Sequence, residues 1–128
     1  KSRVLRNTIR AFIVGGLISV IGQFINNFFT SRGMDIDTAG SLASIIMVFL
    51  GALFTGLNIY DDLGKFAGAG SIVPITGFAN SIVSPAMEFK SEGYVMGVGA
   101  RMFVVAGPVL VYGISASIIA GIIYYLLK

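Results

Sequence analysis

The chain has no cysteine and no histidine among its 128 residues. The first absence excludes disulfides, thiolate metal sites and thiol catalysis. The second removes the commonest general base and the commonest transition-metal ligand. Charge is scarce as well: 12% of the residues carry it, about half the ~25% of an ordinary soluble domain. The long apolar runs hold no Asp or Glu, so an intramembrane enzyme would lack both a nucleophile with its base and a metal cluster. No catalytic residue, metal ligand or cofactor is expected.

What the chain does have is apolar surface. Hydrophobic residues make up 55% of it and the mean hydropathy is +0.89, more than a soluble core of this size can hide. The composition predicts one domain, 1–128, an all-α integral membrane protein with three to four crossings. A pI near 9.5 would suggest nucleic acid if the basic residues formed a stripe, but Lys1, Arg3, Arg6 and Arg10 instead gather before the first apolar run. There they set orientation, with the amino terminus cytoplasmic. That run is too long for a signal peptide and ends without a small-residue cleavage site.

The first span, 11–31, carries no charge. At 3.6 residues per turn Gly15, Ser19, Gly22, Gln23 and Asn26 share one face, and Leu17, Ile21, Phe24 and Phe28 the other. Small and amide groups toward protein and large apolar groups toward lipid make a membrane helix with two sides. Gln23 and Asn26 either bond a neighbouring helix or line a pore. After the polar loop around Gly33, Asp37 or Thr38 is expected to cap the second span, 39–60. Gly40 with Ser44, and Ala52 with Gly56, are small pairs that let helices approach. Tyr60 is expected at the interface, where an amphipathic ring is at home.

The organising stretch is 66–87, again without charge. It holds Gly68, Gly70 and Gly77, two of the three prolines (Pro74 and Pro85), and Ser71, Thr76, Asn80, Ser81 and Ser84. Pro74 removes a backbone donor and crowds the preceding turn, and the glycines weaken helix further. Broken backbone at membrane depth is tolerated only where protein or a wet cavity satisfies it. The stretch therefore reads as a re-entrant or discontinuous helix lining a path for something polar, against the alternative of an irregular span packed by small residues. Re-entry is favoured and leaves the carboxyl terminus outside; a crossing returns it to the cytoplasm. The last span, 102–127, carries Gly107-Pro108, where a kink is expected. Gly113, Ser117 and Gly121 make a packing stripe on it, and Tyr124, Tyr125 and Lys128 a second interfacial anchor.

The remaining charges mark edges. Asp61 and Lys65 are placed to pair one turn apart. Asp61 with Asp62 invites a calcium reading, but without a ligand loop a solvated boundary accounts for them better. Glu88 and Glu92 lie a turn apart, but nothing nearby in the sequence argues for the cleft that acid–base work needs. Arg101 is read as an anchor whose head reaches water, or, with Lys65 at the other mouth of the broken stretch, as a group that attracts an anion.

Several strings taken together carry a family likeness. They are Gly15-Gly-Leu-Ile, Ile21-Gly-Gln23, Tyr60-Asp61, Lys65-Phe-Ala-Gly-Ala-Gly70, Val73-Pro-Ile-Thr-Gly-Phe-Ala-Asn-Ser81, Ala86-Met-Glu88 and Glu92-Gly93. In this order, and over nearly the whole chain, they resemble the stage V sporulation protein A (SpoVA) family, within it the small membrane subunits of the AC and AEb type. Gly97-x-Gly99, Met102-Phe103 and Ala106-Gly-Pro-Val109 favour the AC type. The resemblance implies a channel or transporter subunit in the inner membrane of bacterial spores. It would move dipicolinic acid, as its calcium chelate, into the forespore and out at germination, beside sibling membrane subunits and a soluble subunit. It places the lining within the shared string, at Gly68, Gly70, Ser71, Pro74, Thr76, Gly77, Asn80 and Ser81. Helix amino termini exposed by a broken span attract such anions. Oligomerisation is expected, since one chain this small encloses little. The amino terminus is shorter than in fuller members, so no partner contact is carried over to it. The competing class is a non-conducting membrane anchor that docks a soluble partner subunit.

Overall fold

The computed structural model describes residues 3–72 and 74–128, and of Pro74 the backbone only. Lys1 of the basic cluster and Val73 of the shared string lie outside the described residues, as does the Pro74 side chain. Apart from short 3-10 and π-helical turns, the described residues form five α-helices and no strand. Three helical stretches are long and apolar enough to cross a membrane, Val4–Ser31, Ile36–Gly56 and Tyr94–Leu127. The protein is an all-α integral membrane protein. Contacts divide it into two compact units, Lys1–Ser84 and Pro85–Lys128.

In the first unit α1 (Val4–Ser31) runs unbroken. The second helix, α2 (Ile36–Gly56), is capped by Asp35, whose carboxylate accepts from the Thr38 amide at 3.0 Å and the Thr38 hydroxyl at 2.7 Å. The expected cap was Asp37 or Thr38; Asp35 takes the role because the helix starts earlier and leaves Asp37 in its first turn. Those two bonds from Thr38 hold the Asp35 carboxyl below its usual value. Gly56 ends α2, and Asn58 adopts the left-handed conformation (φ 60°) that Asn tolerates better than most residues. The chain turns there into α3 (Ile59–Ala67), an amphipathic helix burying Tyr60 and Ala67 and exposing Asp61, Asp62 and Lys65. A 3-10 turn, Gly68–Ser71, follows, and α4 (Pro74–Glu88) begins at Pro74, where a missing N–H costs nothing because first-turn donors have no intrahelical partner.

The packing is that of membrane helices, in which small residues admit close backbones. The buried stripe of α2 is Ala39, Ala43, Met47, Gly51 and Thr55, one face at four-residue spacing. The pairs Gly40/Ser44 and Ala52/Gly56 are not the contact: a Cβ placed at Gly40 or Gly56 meets nothing within 4 Å. At Gly51 it would lie 3.0 Å from the Thr76 carbonyl and 3.2 Å from the Ala79 side chain. Outward, α1 exposes Leu17, Ile21, Phe24 and Phe28, the face expected toward lipid.

The second unit starts at Pro85, inside α4, and continues through a 3-10 turn, Lys90–Glu92, and a π-helical turn, Tyr94–Gly99, into α5 (Phe103–Leu127). Gly97 closes on the Phe89 carbonyl. The last helix bends, and Pro108 within it supplies the cause, since its ring crowds the carbonyl four residues back and has no N–H to give. Of α5, Ala106 is buried; Gly113, Ser117 and Gly121 are exposed.

Candidate functional site

The interrupted segment is where polar groups converge. Backbone from Gly68 to Ile72 does not continue the α-helical ladder, so its groups need other partners. Tyr60 supplies one. Its hydroxyl donates to the Ser71 carbonyl at 2.6 Å and lies 3.1 Å from the Thr76 hydroxyl. The ring that was expected at the interface is 4% exposed. The reason is the turn at Asn58, which ends α2 short of Tyr60 and swings the residue inward. The bond joins α3, the 3-10 turn and the first turn of α4 across the interruption. One turn further along, the Thr55 hydroxyl of α2 lies 2.7 Å from the Gly51 carbonyl and 2.9 Å from Asn80 Oδ1 of α4, its one proton shared between the two acceptors. A buried hydroxyl with a partner for its proton costs little; one without costs about 1–3 kcal/mol.

Glycine is required at the centre of this arrangement. A Cβ at Gly70 would run into the Ala11 carbonyl oxygen and lie 2.7 Å from the Ala11 Cα, so the turn is seated directly on the α1 backbone. Gly68, at φ +53°, ends α3 in a conformation that glycine adopts without strain.

Of the residues expected to line a path, Gly70, Ser71 and Thr76 are buried and Gly77, Asn80 and Ser81 half-buried, while Gly68 is exposed. Ser71 and Ser81 also bond back to the carbonyls of Gly68 (2.8 Å) and Phe78 (2.7 Å). Gly77 packs on the Ser71–Ile72 backbone. Gln23 does not join the cluster and bonds Asn27 of its own helix at 2.8 Å. Asn26 keeps a buried Oδ1 with no partner among the described residues. Lys65 pairs with Asp62 at 3.3 Å and Asp61 at 3.8 Å. The Arg101 guanidinium rests on the Phe89 ring, 4.7 Å from its centroid.

Tyr60, Thr55 and Arg10 belong to this region although no motif in the sequence marks them as site residues. Tyr60 had a usable signal: with Leu63 and Ala67 it follows the helical spacing of a buried face. Arg10 is more than an orienting charge. It lies over the Phe66 ring at 4.6 Å and, with Lys65, lines a 510 Å³ cleft between the start of α1 and residues 65–69. Among the described residues no group of three or more Asp, Glu, His or Cys side chains could hold a metal ion.

This chain resembles known proteins over most of its length. The family described as SpoVAC/SpoVAEB sporulation membrane protein matches residues 7–123. The stage V sporulation protein AC of Bacillus subtilis (strain 168) is 49% identical over 120 residues, covering 93% of this chain and 80% of that protein. No solved structure matches. The match spans both units, from the first helix through the interrupted segment to the bent last helix, and so the chain belongs to the SpoVAC/SpoVAEB family of sporulation membrane proteins.

Proposed function

We propose that the chain is a membrane subunit of the apparatus that carries dipicolinic acid, as its calcium chelate, into the developing spore and out at germination. The observation that carries the reading is the helix interruption at Gly68–Ile72, closed by Tyr60 on the Ser71 carbonyl. A plain membrane anchor needs no break in its helix beside several hydroxyls. A conduit does, because such groups replace water around carboxylates as the anion passes. In this reading the bonded arrangement is the shut state. Release of Tyr60 frees Ser71 and the neighbouring hydroxyls toward a path completed by other copies or by sibling membrane subunits. Lys65 and Arg101 are the cations that draw the anion in. The amino terminus is cytoplasmic, from Arg3, Arg6 and Arg10, the membrane is the spore inner membrane, and a soluble subunit docks on the assembly.

The test is dipicolinate efflux from vesicles holding the chain with its sibling subunits. Tyr60→Phe is expected to raise resting leak, and Asn80→Leu to lower the opened flux, with both proteins still inserted. Wild-type flux in both variants overturns the assignment. A non-conducting anchor for a soluble partner is favoured by one fact: Ser71 and Thr76 are buried in a single copy, as packing groups are. It predicts no flux under any condition, with the soluble partner still recruited.

A further inference from the structure

The 510 Å³ cleft at the start of α1 is not isolated. It shares Ala11 and Ala69 with a second, open groove of 420 Å³ that continues along α1 past Phe12, Gly16 and Ser19. The two ends differ in chemistry. Arg10 and Lys65 stand at the cleft end. Phe12, 81% exposed, and Ile72, 73% exposed, wall the groove end, and Gly15 and Gly16 leave its floor without side chains. A Cβ at Gly16 would meet nothing within 4 Å. Surface that passes from paired cations to a bare apolar trough in one direction, on a helix that crosses a membrane, is complementary to a molecule with an anionic head and a hydrocarbon tail.

We infer that this notch binds one anionic phospholipid, its phosphate between Arg10 and Lys65 and one acyl chain along Phe12 and Gly16. Among the described residues Arg10 makes no ion pair with a carboxylate, and it is held at the cleft by its contact with the Phe66 ring. Lys65 has Asp61 and Asp62, but all three side chains are largely exposed, and exposed pairs contribute little and yield readily. Basic clefts between membrane helices at the cytoplasmic face select anionic headgroups. A soluble anion would use the cleft alone and leave the groove empty, which is why a lipid fits the whole feature better. The site adjoins the turn that Tyr60 holds, since Ala69 and Gly70 line the groove. It shares Lys65 with the anion-attracting role proposed above and does not otherwise depend on what the protein conducts.

Native mass spectrometry of the full chain from nanodiscs containing phosphatidylglycerol and phosphatidylcholine tests it. The wild type is expected to retain one phosphatidylglycerol in preference to phosphatidylcholine. Arg10→Gln and Lys65→Gln should each weaken that retention about fivefold, and Gly16→Leu, whose Cβ meets nothing within 4 Å and whose side chain occupies the groove, should abolish it. Arg3→Gln and Arg6→Gln remove the same charge outside the cleft and should change nothing. Equal retention of the two lipids overturns the inference. So does equal loss in all four charge variants, which would mean a diffuse surface attraction. Retention unaffected by Gly16→Leu, with inorganic phosphate bound in an Arg10-dependent way, also overturns it, in favour of a site for soluble anions.

Discussion

Gly70 and Gly113 are both glycines in apolar segments, and they show how differently the two units are built. A methyl group at Gly70 collides with the α1 backbone, and one at Gly113 meets nothing within 4 Å. The first unit packs on itself. Its α1 contacts α2, α3 and the 3-10 turn, and α3 contacts α2 and the same turn; apart from Val14 and Met47 its buried residues are small or, like Thr55 and Tyr60, hydrogen-bonded to another element. In the second unit α5 is apolar and exposed almost throughout. A helix apolar on all sides is one that lies in lipid or against other proteins. The break at Gly68–Ile72 sits where Tyr60 supplies a donor to its backbone, whereas α5, though bent at Pro108, keeps to helix along a face that other protein does not cover.

The largest expected effect comes from exploiting that contrast directly. Gly70→Ala forces the turn off α1, an overpacking that costs about 1–3 kcal/mol or more, whereas Gly113→Ala should leave stability unchanged. Thermal unfolding of the two variants in detergent compares them, and equal midpoints would erase the distinction between the units. Next is Tyr60→Phe, which takes the donor from the Ser71 carbonyl and should cost about 1–3 kcal/mol by the same measurement, with no change in helix content. Thr55→Val removes the bond to Asn80 and is expected to cost about 1 kcal/mol; combined with Asn80→Leu it should cost less than the sum of the two, since they share one bond.

The smallest effect is at the α2 cap. The Asp35 carboxyl is held below its usual value by Thr38, so the folded state favours the ionised form. The cap's contribution is then complete above the unfolded carboxyl value and is lost as pH falls through the lowered folded value. Asp35→Ala should flatten that acid-side slope of stability slightly, and unfolding curves recorded from neutral to acid pH check it.

Much of the architecture was legible in the residues. Charge-free runs of the right length marked the long helices, Gly and Pro in 66–87 marked the interruption, and Gly107-Pro108 the bend. Lys65 pairs with Asp61 as the spacing allowed, with Asp62 nearer still. The packing face of α2 was not legible, because small residues occur on more than one of its faces: Gly40 and Ser44 look as suitable as Ala39 and Ala43. Which set is buried depends on the neighbour that arrives, and that neighbour is set by the turn at Asn58. The same turn decides Tyr60. Its ring suits an interface as well as a core with a hydrogen-bond acceptor, so only the position of Ser71 and Thr76 distinguishes the two. Pairwise partners such as Thr55 with Asn80 lie far apart in sequence and leave no periodic trace.

Within the interruption, Ser71 is sealed inside the protein beneath Tyr60. The chain has no cysteine, so single cysteines label without background. In membranes, Phe66→Cys should react quickly with a water-soluble maleimide and Ser71→Cys should be protected, and adding Tyr60→Phe should open Ser71→Cys to the reagent. Ser71→Cys reacting as fast as Phe66→Cys while Tyr60 is intact would contradict the account.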